Sequence, residues 1–455
     1  MGTRTSPPSL LFVNQHYYPD VASTGQHLTD LAEHLVEDGF QVEVLCASAK
    51  YLAGELASPK CEFHNGVHIR RVKTTGFGRG THFGRILDYA SFYFHVLWTL
   101  FTGKRVDLVV ALTTPPLLGF ACALAKKVRG QDYAIWSMDL HPDAEESIGM
   151  IKRGSLLSRT LHALNDFGYR NARLVVDLGP HMKRRLLNKG VLAERLKTIV
   201  VWNKKDEITP VDRADNPLVE DLGLAGKFVV MYSGNAGLVH RFDEVTEVMR
   251  RLRDRDDIFF LFVGGGPRRS EIEGVIEAEG LQNAAYLDYF PREQLDQSLS
   301  LGSVHLLTLR NEAAGVAVPG KLYGVMAAGR PIIVVGPGAS EPAETTLEEG
   351  VGRVVDTQTG SLSLADDLEA AIVALADDPE ACDAMGRRAR SAFLARYEAE
   401  VACGQWADAL WDLLDPEGRP ARLRRLNTGK RWPAGVDRLG VSEAADPVLE
   451  PAPRG

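Results

Sequence analysis

A lysine in the first turn of a helix needs a partner. The stretch VPGKLYGVMAAGRP, residues 318–331, opens on Pro319 and Gly320, carries an apolar stripe at Leu322, Val325 and Met326, and stops at Gly329 and Pro331. Cations belong at helix C-termini, because the N-terminus already holds about half a positive charge. Lys321 is therefore either a solvated surface residue or one half of an anion site beside free first-turn amides. A second cation, Arg241, lies in SGNAGLVHRFDE (233–244), with Asn235, Gly237 and His240 just ahead of another helix. A guanidinium and an ammonium brought by two such loops suit a diphosphate; taken alone, Arg241 reads equally well as a surface partner of Asp243 or Glu244. In a third loop, NQHYYPDVASTGQ (14–26), Gly25 stands at a helix start, where a phosphate can approach the backbone. GGGP (264–267) lacks the GxGxxG spacing and by itself reads as a tight turn.

These loops share one kind of position. Apolar runs of four to seven residues alternate with amphipathic stretches, which marks α/β architecture with parallel sheets. The runs LLFVN (10–14), VEVLCA (42–47), VHIRRV (67–72), LVVAL (108–112), YAIWSMD (133–139), LVVDL (174–178) and TIVVW (198–202) read as strands of one domain. The polar stretch 206–226 is a linker, and the rhythm restarts with FVVMYSG, FFLFVGGG, AYLDYF, VHLLTL, PIIVVG and GRVV. Two doubly wound Rossmann-like domains follow, over residues 1–205 and 227–395, with a helix at 396–414 and a disordered tail at 415–455. Ligands of such sheets sit beyond the carboxyl ends of the strands, which is where the candidate loops fall. Asp139, His141 and Asp143 follow the YAIWSMD strand at the same edge. His141 is either a ligand-facing hydrogen-bonding group or a loop histidine, with Asp139 a helix cap. His16 and Tyr18 of the first loop read either as polar groups beside a ligand or as loop residues.

The chain has 455 residues, 45% hydrophobic and 25% charged. Its five cysteines, Cys46, Cys61, Cys122, Cys382 and Cys403, show no CxxC or CxxH spacing, which argues for reduced thiols and against a zinc site. Residues 1–205 carry 26 Lys and Arg against 18 Asp and Glu, whereas the remainder carries 26 against 42. The front half is thus basic, with clusters at 126–130, 181–190 and 203–205 that read either as solvated faces or as an anionic-membrane contact. Without interleaved aromatics these clusters do not suit nucleic acid. The run LLFVN is too short for a signal-peptide core or a span. The aromatic stretch 86–101 reads as a buried helix ahead of an interfacial one. GxSxG, HExxH and GxxxxGKS signatures are absent, which argues against an elbow-type hydrolase, a zincin and a P-loop NTPase.

From residue 9 to 414 the chain resembles the GT-B glycosyltransferases, and among them the retaining enzymes of family 4. The likeness rests on YYPDVASTGQHLTDLAEHLVEDGFQVEVLCA, TTPPLLG (113–119), DLHP (139–142), YSGNAGLVH, LFVGGGP and PGKLYGVMAAGRP, in that order. It is similar to the branch that builds surface polysaccharides, such as the fucosamine transferases. The resemblance implies a nucleoside diphosphate-sugar donor on the second domain and an acceptor on the first, possible acceptors including a polyprenyl diphosphate-linked sugar. It implies a donor diphosphate held by Gly25, Asn235, Gly237, Arg241 and Lys321, with Gly265, Glu312, Leu322 and Gly324 on the sugar and nucleotide side. Asp139 and His141 would be catalytic, with His16 and Tyr18 toward the acceptor. It also implies that no metal and no cofactor is needed, that the last helix crosses back to the first domain, and a cytoplasmic location, peripheral on the inner face of the membrane. The family's two glutamates, eight positions apart, are here Val316 and Gly324; Glu312, Glu341 and Glu344 are the nearby carboxylates. The rival readings are a nucleotide-sugar epimerase of the same fold and an inactive GT-B scaffold or partner protein.

Overall fold

The computed structural model describes residues 6–20, 22–48, 59–75, 82–316, 318–360 and 363–415. The first sheet has eight strands: β1 Ser9–Val13, β2 Gln41–Ala47, β3 Cys61–His64, β4 Val67–Val72, β5 Leu108–Ala111, β6 Tyr133–Trp136, β7 Leu174–Asp177 and β8 Leu196–Thr198. Their order is β3-β4-β2-β1-β5-β6-β7-β8. The second sheet has β9 Phe228–Ser233, β10 Ile258–Val263, β11 Ala284–Leu287, β12 Val304–Thr308, β13 Ile332–Gly336 and β14 Gly352–Asp356, ordered β11-β10-β9-β12-β13-β14. Fully buried strands such as Leu108–Ala111 and Ile332–Gly336 read as continuous apolar runs because helices cover both sheet faces.

Two strand expectations change. β3 pairs antiparallel with β4 through a tight turn in which Asn65 and Gly66 both have positive φ, 46° and 81°. In its residues CEFH the apolar pair Cys61 and Phe63 faces outward, because it is an edge strand with no buried residue. The expected strand 198–202 leaves the sheet at Thr198, and Ile199–Trp202 continue as a buried connection toward the second domain.

That connection meets the last helix, Ala399–Leu414, which packs on the helix Ser23–Glu37 of the first domain. Trp136 of β6 lies 5.6 Å from Trp202 and 5.0 Å from Trp406, centroid to centroid, and Trp411 packs 4.5 Å from Phe40. The residues 416–455, expected as a disordered tail, lie outside the described residues. In the helix His82–Thr102, Phe92, Val96 and Leu100 are buried while Phe94 and Trp98 are exposed. Among the described residues no helix is long and apolar enough to cross a membrane.

Most of the basic clusters are spent on the protein itself. Lys126 pairs with Asp132 at 3.2 Å, Lys127 lies over the Phe167 ring, and Arg129 donates to Leu100 O and Gly103 O. Lys189 pairs with Asp143 at 2.8 Å, Lys204 with Asp30 at 2.5 Å and Lys205 with Glu400 at 3.0 Å. Lys126, Lys189, Lys204 and Lys205 are thereby matched by carboxylates within the fold.

Trp406 is fully buried against Trp136. Trp406→Ala is expected to cost about 3–5 kcal/mol, read as a lower denaturant midpoint at unchanged cooperativity.

Candidate active site

Four connections at the carboxyl edge of the second sheet build a cationic corner. Lys321, at the head of the helix Lys321–Ala327, donates from Nζ to Tyr232 Oη at 2.6 Å and lies 3.4 Å from His240 Nε2. The same Nζ is 4.0 Å from the Tyr232 ring centroid. No carboxylate pairs with it among the described residues. Burial alone pulls its pKa down from 10.5 to about 7, although part of its surface remains accessible. His240 donates from Nδ1 to Thr308 O at 2.5 Å, which leaves Nε2 as an acceptor facing the ammonium. Burial, then the Lys321 charge, push its pKa down to about 3. The His240 carbonyl in turn accepts from Arg268 Nη1 at 2.6 Å and from Arg310 Nε at 3.2 Å. Arg268 is tied to Glu271, whereas Arg310 is exposed and its Nη atoms have no partner among the described residues.

Glycines make this corner possible. A Cβ on Gly264, whose φ is 136°, would lie 2.2 Å from Gly234 O, and one on Gly266, whose φ is 120°, would lie 2.5 Å from Asn235 Oδ1. The loops after β9 and β10 therefore touch backbone to backbone, and Lys321 Nζ passes 3.7 Å from the Cβ position of Gly234. Asn235 is exposed and Gly237 half-buried on this loop. Gly265 accepts from Ala236 N at 2.6 Å and has the Tyr289 ring above it, 3.5 Å from its Cβ position.

Several sequence expectations move. Arg241 is held by Glu244, with Nε at 2.9 Å from Oε2 and an Nη2 bond to Oε1, so its charge is spent one helical turn away rather than beside Lys321. Leu322 is fully buried and has no surface to offer a ligand. Gly324 is buried too, and a Cβ there would touch Asn203, Ile208 and Leu299 at 3.7–3.8 Å. Gly25 lies in the helix packing, 3.2 Å from His16 C as measured from its Cβ position, so it serves close approach within the first domain. Tyr232, His240, Arg268 and Arg310 were not singled out as site residues. Their only sequence signal was proximity, His240 beside Arg241 and Arg268 directly after GGGP.

The first domain meets this corner through the loop after β12. Leu140 N donates to Val316 O at 2.9 Å, and Arg185 Nε donates to Ala314 O at 3.0 Å. Gly315, at φ 67°, would carry a Cβ only 2.9 Å from the His181 backbone. Val316, one of the two positions where the resemblance expects a glutamate, is buried in this contact. Glu341, from the second domain, accepts from His181 N at 3.0 Å and Met182 N at 3.4 Å, capping the helix Pro180–Asn188 of the first. Glu344 lies 3.0 Å from His181 Nε2. Both are occupied, so among the nearby carboxylates Glu312, exposed and unpaired among the described residues, is the one free to meet a ligand.

Asp139 and His141 stand next to Leu140. Asp139 is half-buried with no side-chain hydrogen bond among the described residues, and burial raises its pKa against the lowering effect of His141. His141 Nδ1 lies 2.7 Å from Glu145 Oε1. Burial would lower its pKa, but Glu145 and then Asp139 and Asp143 outweigh it, so His141 holds a proton more tightly than usual. His16 is turned inward to Asp20 at 2.5 Å, while Tyr18 stacks on His64 at 3.8 Å with 38% of its surface exposed.

Residues 24–202 match the family described as "Glycosyl transferase 4-like domain", and residues 218–392 match "Glycosyl transferases group 1". The chain thus joins a glycosyl transferase 4-like domain to a group 1 glycosyl transferase domain, on the GT-B fold of its structural neighbours. This glycosyltransferase is 22% identical over 404 residues to the putative colanic acid biosynthesis glycosyl transferase WcaI of Escherichia coli, covering 86% of this chain and 94% of that one. It is 26% identical over 264 residues to the probable glycosyltransferase WbjE of Pseudomonas aeruginosa, over 58% and 66% of the two chains. Its fold superposes on sucrose-phosphate synthase of Thermosynechococcus elongatus with TM-score 0.67 at 16% identity, covering 90% of this chain and 100% of that one. HepE of Anabaena, solved with UDP-glucose, gives TM-score 0.64 at 16% identity over 89% and 99%. The glycosyltransferase therefore carries its cationic corner and the Asp139–His141 loop at the facing carboxyl edges of its two sheets.

In this glycosyltransferase Glu341→Ala removes a charge-assisted cap worth about 1.5–3 kcal/mol. Hydrogen exchange at the His181 and Met182 amides is expected to speed up at least tenfold while that of β1 and β5 stays unchanged.

Proposed function

We propose that this chain moves a hexose-type sugar, with retention, from a nucleoside diphosphate-sugar to a polyprenyl diphosphate-linked acceptor in bacterial surface polysaccharide or glycolipid assembly. The observation that carries the reading is the Lys321 ammonium, desolvated against Tyr232 and His240 without a carboxylate. Such a site favours an arriving anion, because only an anion restores the charged state that burial opposes. Arg310 meets the same histidine and supplies the second cation, in the role first expected of Arg241. Support comes from HepE, which holds UDP-glucose on this fold, and from WcaI, named for colanic acid biosynthesis.

In the reaction the bond between the anomeric carbon and the diphosphate oxygen breaks, and the acceptor hydroxyl oxygen bonds to that carbon on the same face. The acceptor proton passes to the departing diphosphate. Charge grows on the leaving oxygens, and stabilising it is the main electrostatic task. Lys321 and Arg310 do this, with no metal or cofactor required. Glu312 is the carboxylate placed to meet the donor's hydroxyls. Asp139 and His141 bind on the acceptor side, where His141 donates a hydrogen bond. We place the enzyme in the cytoplasm, peripheral on the membrane.

Calorimetry with UDP-, GDP- and dTDP-sugars tests the donor site. One nucleotide class is expected to bind, and Lys321→Ala to weaken it by about 2–3 kcal/mol, roughly 30- to 150-fold. Arg241→Ala is expected to change affinity far less. No heat with any nucleotide would contradict the reading, as would binding indifferent to Lys321→Ala.

A further inference from the structure

A further charged surface lies between β6 and β7, where cations and large apolar side chains are exposed together. From Ser147 to Asn165 the sequence SIGMIKRGSLLSRTLHALN contains no acidic residue. Within it Met150, Leu156 and Leu157 are 52%, 82% and 58% exposed. Lys152, Arg153 and Arg159 are exposed among them, and none of their side chains has a hydrogen-bond or ion-pair partner among the described residues. The segment is shaped rather than loose: Gly149 and Gly154 both turn at φ 74°, and Ser155 caps the helix Leu156–Asn171 by accepting from Ser158 N at 3.2 Å. Three large apolar side chains and three unpaired cations within ten residues are costly to leave in water unless something meets them.

The position fixes what that is. The segment leaves the same connection that carries Asp139 and His141, and Asn165 Nδ2 donates to His141 O at 2.9 Å, tying the helix beneath it to the site. Arg153 and Arg159 also line a cavity of about 660 Å³ with Asp143 and His162. The exposed aromatic pair Phe94 and Trp98 offers a contrast, since residues 86–103 around it contain no Lys or Arg.

We propose that residues 149–159 form a docking rim that inserts Met150, Leu156 and Leu157 into an anionic phospholipid bilayer while Lys152, Arg153 and Arg159 meet its headgroup phosphates. The inference rests on the reading that the acceptor is membrane-borne, and it places that acceptor beside His141. Apolar insertion and headgroup attraction act together, so loss of either half weakens binding.

The full chain is sedimented with sucrose-loaded vesicles of phosphatidylglycerol and phosphatidylethanolamine, and with phosphatidylcholine vesicles, at about 0.1 M salt. Wild type is expected to pellet with the anionic vesicles, more weakly as salt rises, and not with phosphatidylcholine. The triple variants Met150→Ser/Leu156→Ser/Leu157→Ser and Lys152→Ala/Arg153→Ala/Arg159→Ala are each expected to lose at least tenfold in partition. Both are expected to keep the wild-type melting temperature, and Phe94→Ser/Trp98→Ser is expected to bind as wild type. Absence of wild-type binding, retained binding in both triple variants, or loss confined to Phe94→Ser/Trp98→Ser would overturn the proposal. So would a wild-type dimer in vesicle-free buffer that the apolar triple variant abolishes, since the rim would then be a self-contact. Nucleotide calorimetry on the same proteins separates the two ideas: a failed donor site removes nucleotide heat and leaves vesicle binding, whereas a failed rim does the reverse.

Discussion

An ammonium with no carboxylate partner among the described residues is the constraint around which the cleft is arranged. Lys321 keeps its place because Tyr232 and a neutral His240 accept its protons, and His240 stays neutral because burial and the ammonium itself disfavour its charge. The arrangement has little slack. The loops after β9 and β10 must be glycine at 234, 264 and 266 for the backbones to touch beneath the lysine, and Thr308 O must fix the histidine tautomer. A corner made this way is poor at holding its own positive charge and suited to receiving a negative one.

The contact between domains serves the same end. The loop after β12 leaves the cationic corner at Arg310 and within six residues is bonded to Leu140, next to Asp139 and His141. Glu341 caps a first-domain helix from the second domain, and Gly179 is needed because any Cβ there would strike that carboxylate. The residues at which the family carries its glutamates thus take structural tasks, Val316 in the interdomain contact and Gly324 in the packing around Asn203 and Leu299.

Much of the fold was legible because parallel strands buried on both faces are apolar without interruption, as LVVA and FFLFV are. β3 was not, because it is four residues long and its apolar residues, Cys61 and Phe63, face outward at a sheet edge. Within the site, Lys321 stood out by violating the charge preference of a helix start. Arg241 looked equivalent, yet Glu244 one turn on claims it, a choice that depends on side-chain geometry. Tyr232 and His240 could not be picked out, since an aromatic ending a strand and a histidine in a loop are common and only the fold brings them to the lysine. Part of the net charge was hidden in the same way: Lys126, Lys189, Lys204 and Lys205 of the basic clusters pair with Asp132, Asp143, Asp30 and Glu400.

The central claim is that Lys321 is poised near neutrality until a diphosphate arrives. Its pKa near 7 leaves it mostly unprotonated at pH 8, and a bound diphosphate raises that pKa, so binding must draw a proton from solvent above pH 7 and draw little below pH 6. Calorimetric titration of a nucleoside diphosphate-sugar, whose phosphates do not titrate between pH 6 and 8, in two buffers of different ionisation enthalpy, measures that uptake directly. The account predicts close to one proton taken up at pH 8, falling toward zero at pH 6 and absent in Lys321→Ala. Binding with no proton uptake at pH 8, or uptake that persists in Lys321→Ala, would contradict it.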